Sequence, residues 1–221
     1  VFVMDVIWPA EFASAGWALP LDNFFSRAEQ DKFLEAPIIA NRYRGQIFGV
    51  PLFIDAGLLY YRKDLLEKYR MAPPRHWPEL VEQAKSILAA ERDPHLVGYS
   101  GQFKQYEGLV CNMMEYIVGN GGSLRTGTPP VDAILITSAP MMEYILSNGG
   151  RLWHEDQQVS ALEEERAKEA VRFVRDHIIG EISQRGVLAY EEPESVAVFA
   201  QGRAVFHRNW PYAWRVANDP Q

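Results

Sequence analysis

The sequence predicts an α/β fold. Three observations carry this: short runs rich in β-branched and aromatic residues, amphipathic stretches of helical period between them, and Gly/Pro punctuation at close intervals. Strands separated by helices and joined by short loops bury their apolar faces best as helices packed on a sheet. The 221 residues are enough for one large domain or two modest ones.

"VFVMDVIW" (1–8) is strand-like, and after Pro9 "AEFASAGWALPLD" reads as a short helix and a turn. "YRGQIFGVPLFIDAGLLYYRKDLLEKY" predicts a turn at Gly45, a strand, a break at Gly49-Val50-Pro51, a second strand, and a helix from about Asp64. In "PELVEQAKSILAAE" Leu80, Ala84, Ile87 and Leu88 share one helical face, with Pro78 suited to the first turn. "SALEEERAKEAVRFVRDHII" opens on a capping-box pattern, Ser160 and Glu163. Its buried stripe is Ala167, Val171, Val174 and Ile178. "ESVAVFAQG" is a short helix stopped near Gly202, and "RAVF" is the strand after it.

One segment occurs twice. "MMEYIVGNGGSL" (113–124) returns as "MMEYILSNGGRL" (141–152), identical at nine of twelve positions and offset by 28 residues. Solenoids need about three copies of a unit, so two copies indicate a local tandem duplication. Each copy reads as a core helix ended by Asn-Gly-Gly. One copy is then extra to the fold, with "RTGTPPVDAILITSAP" between them as an irregular excursion.

Composition excludes several function classes. A net charge of −7 argues against a nucleic-acid backbone as partner. No run approaches the ~20 apolar residues that span a bilayer. The lone Cys111 forms no internal disulfide and leaves the compartment open. The chain begins without Met or a basic leader region, and its start and its end ("VANDPQ") both read as cuts through a longer protein. There is no nucleophile elbow, phosphate loop or dinucleotide fingerprint. The five histidines lack metal-ligand spacing, so neither a metal nor a cofactor is expected. A hydrolase would have to draw on Asp5, Glu11, Asp55 and Glu107, and nothing local marks any of them as an acid of raised pKa.

Binding chemistry fits better. Rings recur beside carboxylates or amides at predicted strand ends: Trp8 with Asp5 and Glu11, Phe53 with Asp55, Tyr106 with Glu107, and Trp210 and Tyr212 with Asn209. A sugar offers apolar C–H faces to flat rings and a rim of hydroxyls to carboxylates and amides. Core packing is the alternative for any single ring. For Asp55 the alternative is a helix cap.

"DVIWPAEFASAGWALPLD", "GQIFGVPLFIDAGLLYYRKDLLEKY", "QYEGLVCNMMEYIVGNGG" and "GRAVFHRNWPYAW" together resemble the solute-binding proteins of ABC importers, most closely the trehalose/maltose-binding type. The resemblance implies a two-lobed periplasmic-binding-protein-like fold (type II), here incomplete. Residues 1–52 would be part of lobe I, 53–56 the first crossing, 57–205 lobe II, and 206–221 the second crossing. It further implies capture of a disaccharide or short oligosaccharide in the interlobe cleft by a monomer, and delivery to the membrane subunits of an importer. The location would be periplasmic or extracellular, with lipid anchoring through a missing N-terminus as one option. The expected sugar contacts are Asp5, Trp8, Glu11, Phe53, Asp55, Tyr106, Glu107, Asn112, Trp210 and Tyr212. Pro211 would pre-place the two rings beside it, and Trp214 would pack in the core. No catalysis is expected. A carbohydrate-active enzyme and a two-lobed sensor or scaffold are the rival readings.

Overall fold

A computed structural model describes residues 1–121, 125–126, 153–154 and 165–218. Val1 to Trp8 form no strand. β-branched residues favour extended backbone, but a strand exists only where another strand takes up its N–H and C=O groups. Helix α1 (Pro9–Ser14) follows, with Pro9 in the first turn where its missing N–H costs nothing. Helix α2 (Arg27–Gln30) is opened by a Ser26/Glu29 capping box, and α3 (Glu35–Ala40) leads into a hairpin, β1 (Arg42–Tyr43) and β2 (Gln46–Ile47). The predicted turn at Gly45 is the hairpin's second corner: Arg44 and Gly45 have φ of 48° and 82°, the pair of positive values a tight hairpin turn requires. Phe25, Ile38 and Ile47 form the small core under it.

Residues 48–57 carry no regular structure, so the second strand begins at Leu58 rather than just after Pro51. Strand β3 (Leu58–Tyr61) runs into helix α4 (Lys63–Lys68), whose N-cap is Arg62. Asp55, seven residues before that cap, does not cap the helix. Helix α5 (Trp77–Glu91) buries Leu80, Val81, Ala84 and Ile87, with Val81 taking the place expected of Leu88. His76 caps it by accepting the Glu79 N–H at 3.2 Å. Strand β4 (Val97–Ser100) and helix α6 (Glu107–Gly119) come next.

Short strands β5 (Arg125–Thr126) and β6 (Trp153–His154) pair in parallel. Helix α7 (Glu165–Phe173) continues as a π-helix over Val174–Ile182. Its buried stripe is Ala167, Ala170, Val174 and Ile178, while Val171 turns outward, 45% exposed. The capping-box residues Ser160 and Glu163 lie outside the described residues. A 3₁₀ turn (Arg185–Ala189), helix α8 (Glu192–Ala200), strand β7 (Ala204–Asn209) and helix α9 (Ala213–Asn218) complete the order. Gly202, at φ 73°, makes the left-handed turn between α8 and β7.

Among the described residues the main sheet has the order β3-β7-β4, with β7 antiparallel to β3 and parallel to β4. All six residues of β7 are buried, as expected of a central strand covered on both faces. Period-two alternation divides them. Phe206 and Arg208 share one face, the first packed in the main core and the second paired with Glu115 of α6. His207 and Asn209 share the other, towards Phe199 and Glu192 of α8. The strand outlasts the apolar "AVF" by three polar residues, and each of these has a partner inside.

Residues 113–119 of the first copy lie in α6, where Met114, Tyr116 and Ile117 are buried, and Gly121, at φ 76°, comes just after the helix end. The second copy lies outside the described residues. The parallel pairs Arg125↔Trp153 and Thr126↔His154 join the residues directly after the two copies, at the 28-residue repeat offset. Deleting 113–140 would therefore join Asn112 to Met141 and return an identical residue at each buried position of the helix from Met114 to Ile117. It also puts a serine where Gly119 stands, and the nearest atom to a Cβ there is Trp77 Nε1 at 3.9 Å. The deletion is expected to leave a soluble protein melting within a few degrees of its parent. Aggregation of the deletant alone would show that both copies are structural.

Candidate functional site

Ligands of open α/β sheets bind outside the carboxyl ends of the strands, where connections diverge. Here β4 and β7 run in parallel and end side by side, at Ser100 and Asn209. Beyond these ends lies a buried polar seam with one aromatic ring at its mouth.

Gln102, fully buried, organises the seam. Its Nε2 donates to Ser195 Oγ at 2.7 Å and to the Arg208 carbonyl at 3.0 Å, and its Oε1 accepts from Arg208 Nη1 at 3.3 Å. Asn112 Nδ2 donates to the Gln102 carbonyl at 2.6 Å. Asn112 is itself fully buried inside α6, and its Oδ1 has no hydrogen-bond partner among the described residues. Its place is beneath the strand ends and not on an open surface.

Arg208 is 1% exposed, and its Nε donates to Glu115 Oε1 at 2.9 Å. Burial pushes the Glu115 carboxyl above its ordinary range, with the guanidinium charge and hydrogen bond working against that rise. The pair therefore consists of an arginine held charged and a carboxylate that depends on it. On the opposite face of β7, burial lowers the His207 imidazole to about 4, with the charge of Arg208 adding to the fall. A neutral ring suits its partners: Nδ1 lies 3.0 Å from the Ser100 carbonyl and donates, and Nε2 accepts from Asn209 Nδ2 at 3.1 Å.

Trp210 stands at the end of this strand. The Arg208 guanidinium carbon lies 4.0 Å from its ring centroid, and its indole Nε1 donates to Glu192 Oε1 at 2.9 Å. Its backbone is held as well, the N–H by Asn209 Oδ1 at 2.8 Å and the carbonyl by Tyr60 Oη at 2.8 Å. Trp210 is half-buried, with a cation over its ring.

The other expected residues fall into separate groups. Asp5, Trp8 and Glu11 gather at the start of α1, where Asp5 Oδ1 accepts the Ile7 N–H and the Trp8 ring stacks on Phe12 at 5.8 Å. Phe53, 71% exposed, and Asp55 lie on the irregular segment 48–57. Tyr106 and Glu107 open α6; the Tyr106 hydroxyl is buried without a hydrogen-bond partner among the described residues. Burial and the neighbouring Glu192 raise its pKa. Tyr212 lines an apolar groove of about 340 Å³ with Val196 of α8 and Val216 of α9. Trp214 does not pack in the core: it is 66% exposed, because the buried face of α9 is that of Ala213 and the next residue points about 100° away. Gln102, Glu115, Arg208 and Glu192, which hold Trp210, carry no local sequence signal.

The whole chain, 1–221, matches the model of the bacterial extracellular solute-binding proteins. It is similar to a probable ABC transporter-binding protein of Deinococcus radiodurans, 32% identical over 97% of this chain and 44% of that protein. Among solved structures it is similar to the maltose-bound MalE3 of T. maritima, 36% identical with a TM-score of 0.76, over 99% of this chain and 48% of that one. A tagatose-bound solute-binding protein of Thermotoga lettingae, 20% identical with a TM-score of 0.73, shares the fold. The chain thus spans about half the length of these relatives, and it holds part of their two-lobed, type II periplasmic-binding-protein fold. With its α/β sheet, its strand-end seam and this match from first residue to last, the chain belongs to the bacterial extracellular solute-binding protein family.

Proposed function

We propose that the protein captures a sugar, a maltose- or trehalose-like disaccharide or short oligosaccharide, in an interlobe cleft and delivers it to the membrane subunits of an ABC importer. The observation that carries this is the Trp210 ring, held at the end of β7 by Arg208 and Glu192. A flat ring fixed in advance offers the C–H face of a sugar a platform whose ordering cost is already met. The likeness to maltose-bound MalE3 supports the sugar class.

In this reading 1–52 belong to lobe I, 53–56 and 206–221 are the crossings, and 57–205 belong to lobe II. Asp5, Trp8, Glu11, Phe53, Asp55, Tyr106, Glu107 and Tyr212 are the further contact candidates, while the fully buried Asn112 supports the seam from beneath. The carboxylates among these candidates accept hydrogen bonds from sugar hydroxyls and perform no catalysis. The protein works as a monomer in the periplasm or outside the cell. Among the described residues no helix is long and apolar enough to cross a membrane.

Calorimetry of the intact protein with maltose and trehalose tests the reading. Trp210→Ala is expected to weaken sugar binding by about 1–3 kcal/mol, combining lost contact area and stacking. Unchanged affinity in a folded Trp210→Ala protein would remove the ring from the site. Sustained glucose release from either sugar would show an enzyme instead.

A further inference from the structure

One buried cation meets three parts of the chain. Besides Glu115 and the Trp210 ring, the Arg208 guanidinium lies against Gly57, the residue that closes the irregular segment before β3. A Cβ at Gly57 would overlap Glu115 Oε1 and approach Arg208 Nη2 to 2.5 Å. Gly57 is not in the left-handed region, so its backbone does not require glycine. The space does.

The guanidinium has little freedom to move. Nε and Nη2 both donate to Glu115 Oε1, Nη1 donates to Gln102 Oε1, and the Arg208 side chain is 2% exposed. A planar guanidinium in a fixed fork can stack flat on an indole, which a lysine ammonium cannot reproduce. The plane of Trp210 is therefore set from below by a group that also fills the space beside Gly57.

We propose that Arg208 is the positioning residue of the binding cleft, holding the Trp210 ring in its sugar-facing orientation while Glu115 and the bare backbone of Gly57 hold Arg208. This rests on the reading of Trp210 as the sugar platform, and it adds the reason the platform is rigid. It also ties the ring to the residue that follows the first proposed crossing: whatever shifts the chain at Gly57 shifts the guanidinium, and the guanidinium shifts the ring. Arg208 need not touch the sugar.

Two variants of the intact protein test this, Gly57→Ala and Arg208→Lys. The alanine methyl meets the far ends of two side chains rather than backbone, so it displaces the guanidinium without unfolding the sheet. Maltose affinity is read by calorimetry, and ring placement by the ¹⁵N–¹H indole signal of Trp210, identified by its loss in Trp210→Phe. Both variants are expected to move that signal and to weaken maltose binding at least fivefold while remaining folded, with a lower melting temperature wherever the buried pair is strained. A lower melting temperature with signal and affinity unchanged in the folded protein would reduce Arg208 to a core residue and overturn the proposal. A moved signal with unchanged affinity would also overturn it. A parent that binds neither maltose nor trehalose sinks the sugar reading alone; the indole signal then decides, a moved signal supporting the positioning role and an unmoved one overturning it.

Discussion

Arg208→Met is expected to destabilise the intact protein by about 3–5 kcal/mol, the cost of leaving a buried charge without its partner. Methionine fills much of the volume but neutralises nothing, and Glu115, 15% exposed, cannot recover its hydration in place. Its carboxyl, already raised by burial, then rises further, so the unfolded chain gives up this proton more readily than the folded one and stability falls as pH rises. The loss should therefore be larger at pH 8 than at pH 5. Pairing the change with Glu115→Met should recover most of the stability, since an apolar pair of similar volume often equals a buried ion pair. Urea unfolding midpoints of the two single variants and the double variant check this. Additive losses in the double variant would mean that the pair is not the source of the effect.

Acid should expose the other face of β7. In the unfolded chain His207 takes up a proton near pH 6.5, and in the folded protein only near 4. Between those values the unfolded state binds the additional proton, so stability falls as pH falls. The His207 contribution is complete above about 6.5 and levels off below about 4, and the total loss is about 3 kcal/mol. The physical cause is that a protonated ring would sit in an apolar setting beside the Arg208 charge, with no acceptor at Nε2. His207→Gln, neutral throughout, should lose less stability between pH 7 and pH 4 than the parent by about that amount. Parallel stability curves for parent and variant over this range would show that the imidazole titrates normally in the fold.

The elements that sequence alone revealed are those whose cause is local. The α5 stripe, the turn at Gly45 and the helix stop at Gly202 each arise from residues within a turn or two of one another. The strand-like run at 1–8 shows the limit of such reasoning, because strand formation needs a partner that propensity does not supply. Trp214 shows it again: a large ring reads as core, but the phase of α9 is set by the packing of Ala213.

For the candidate site the division is sharper. Residue types and their order were sufficient to mark "HRNWPYAW" as a ring-bearing strand end and to suggest the family that the whole-chain match establishes. They gave no sign that Arg208 would lie buried, 93 residues from Glu115 and 106 from Gln102 along the chain, with Gly57 left bare to admit it. A buried charge is tolerated only where an opposite charge and hydrogen bonds converge on it, and that convergence is created by the sheet and α6 packing together. Local periodicity reports how a segment can fold. Which distant side chains then meet, and hence which ring is held rigid for a ligand, is decided only when the segments pack.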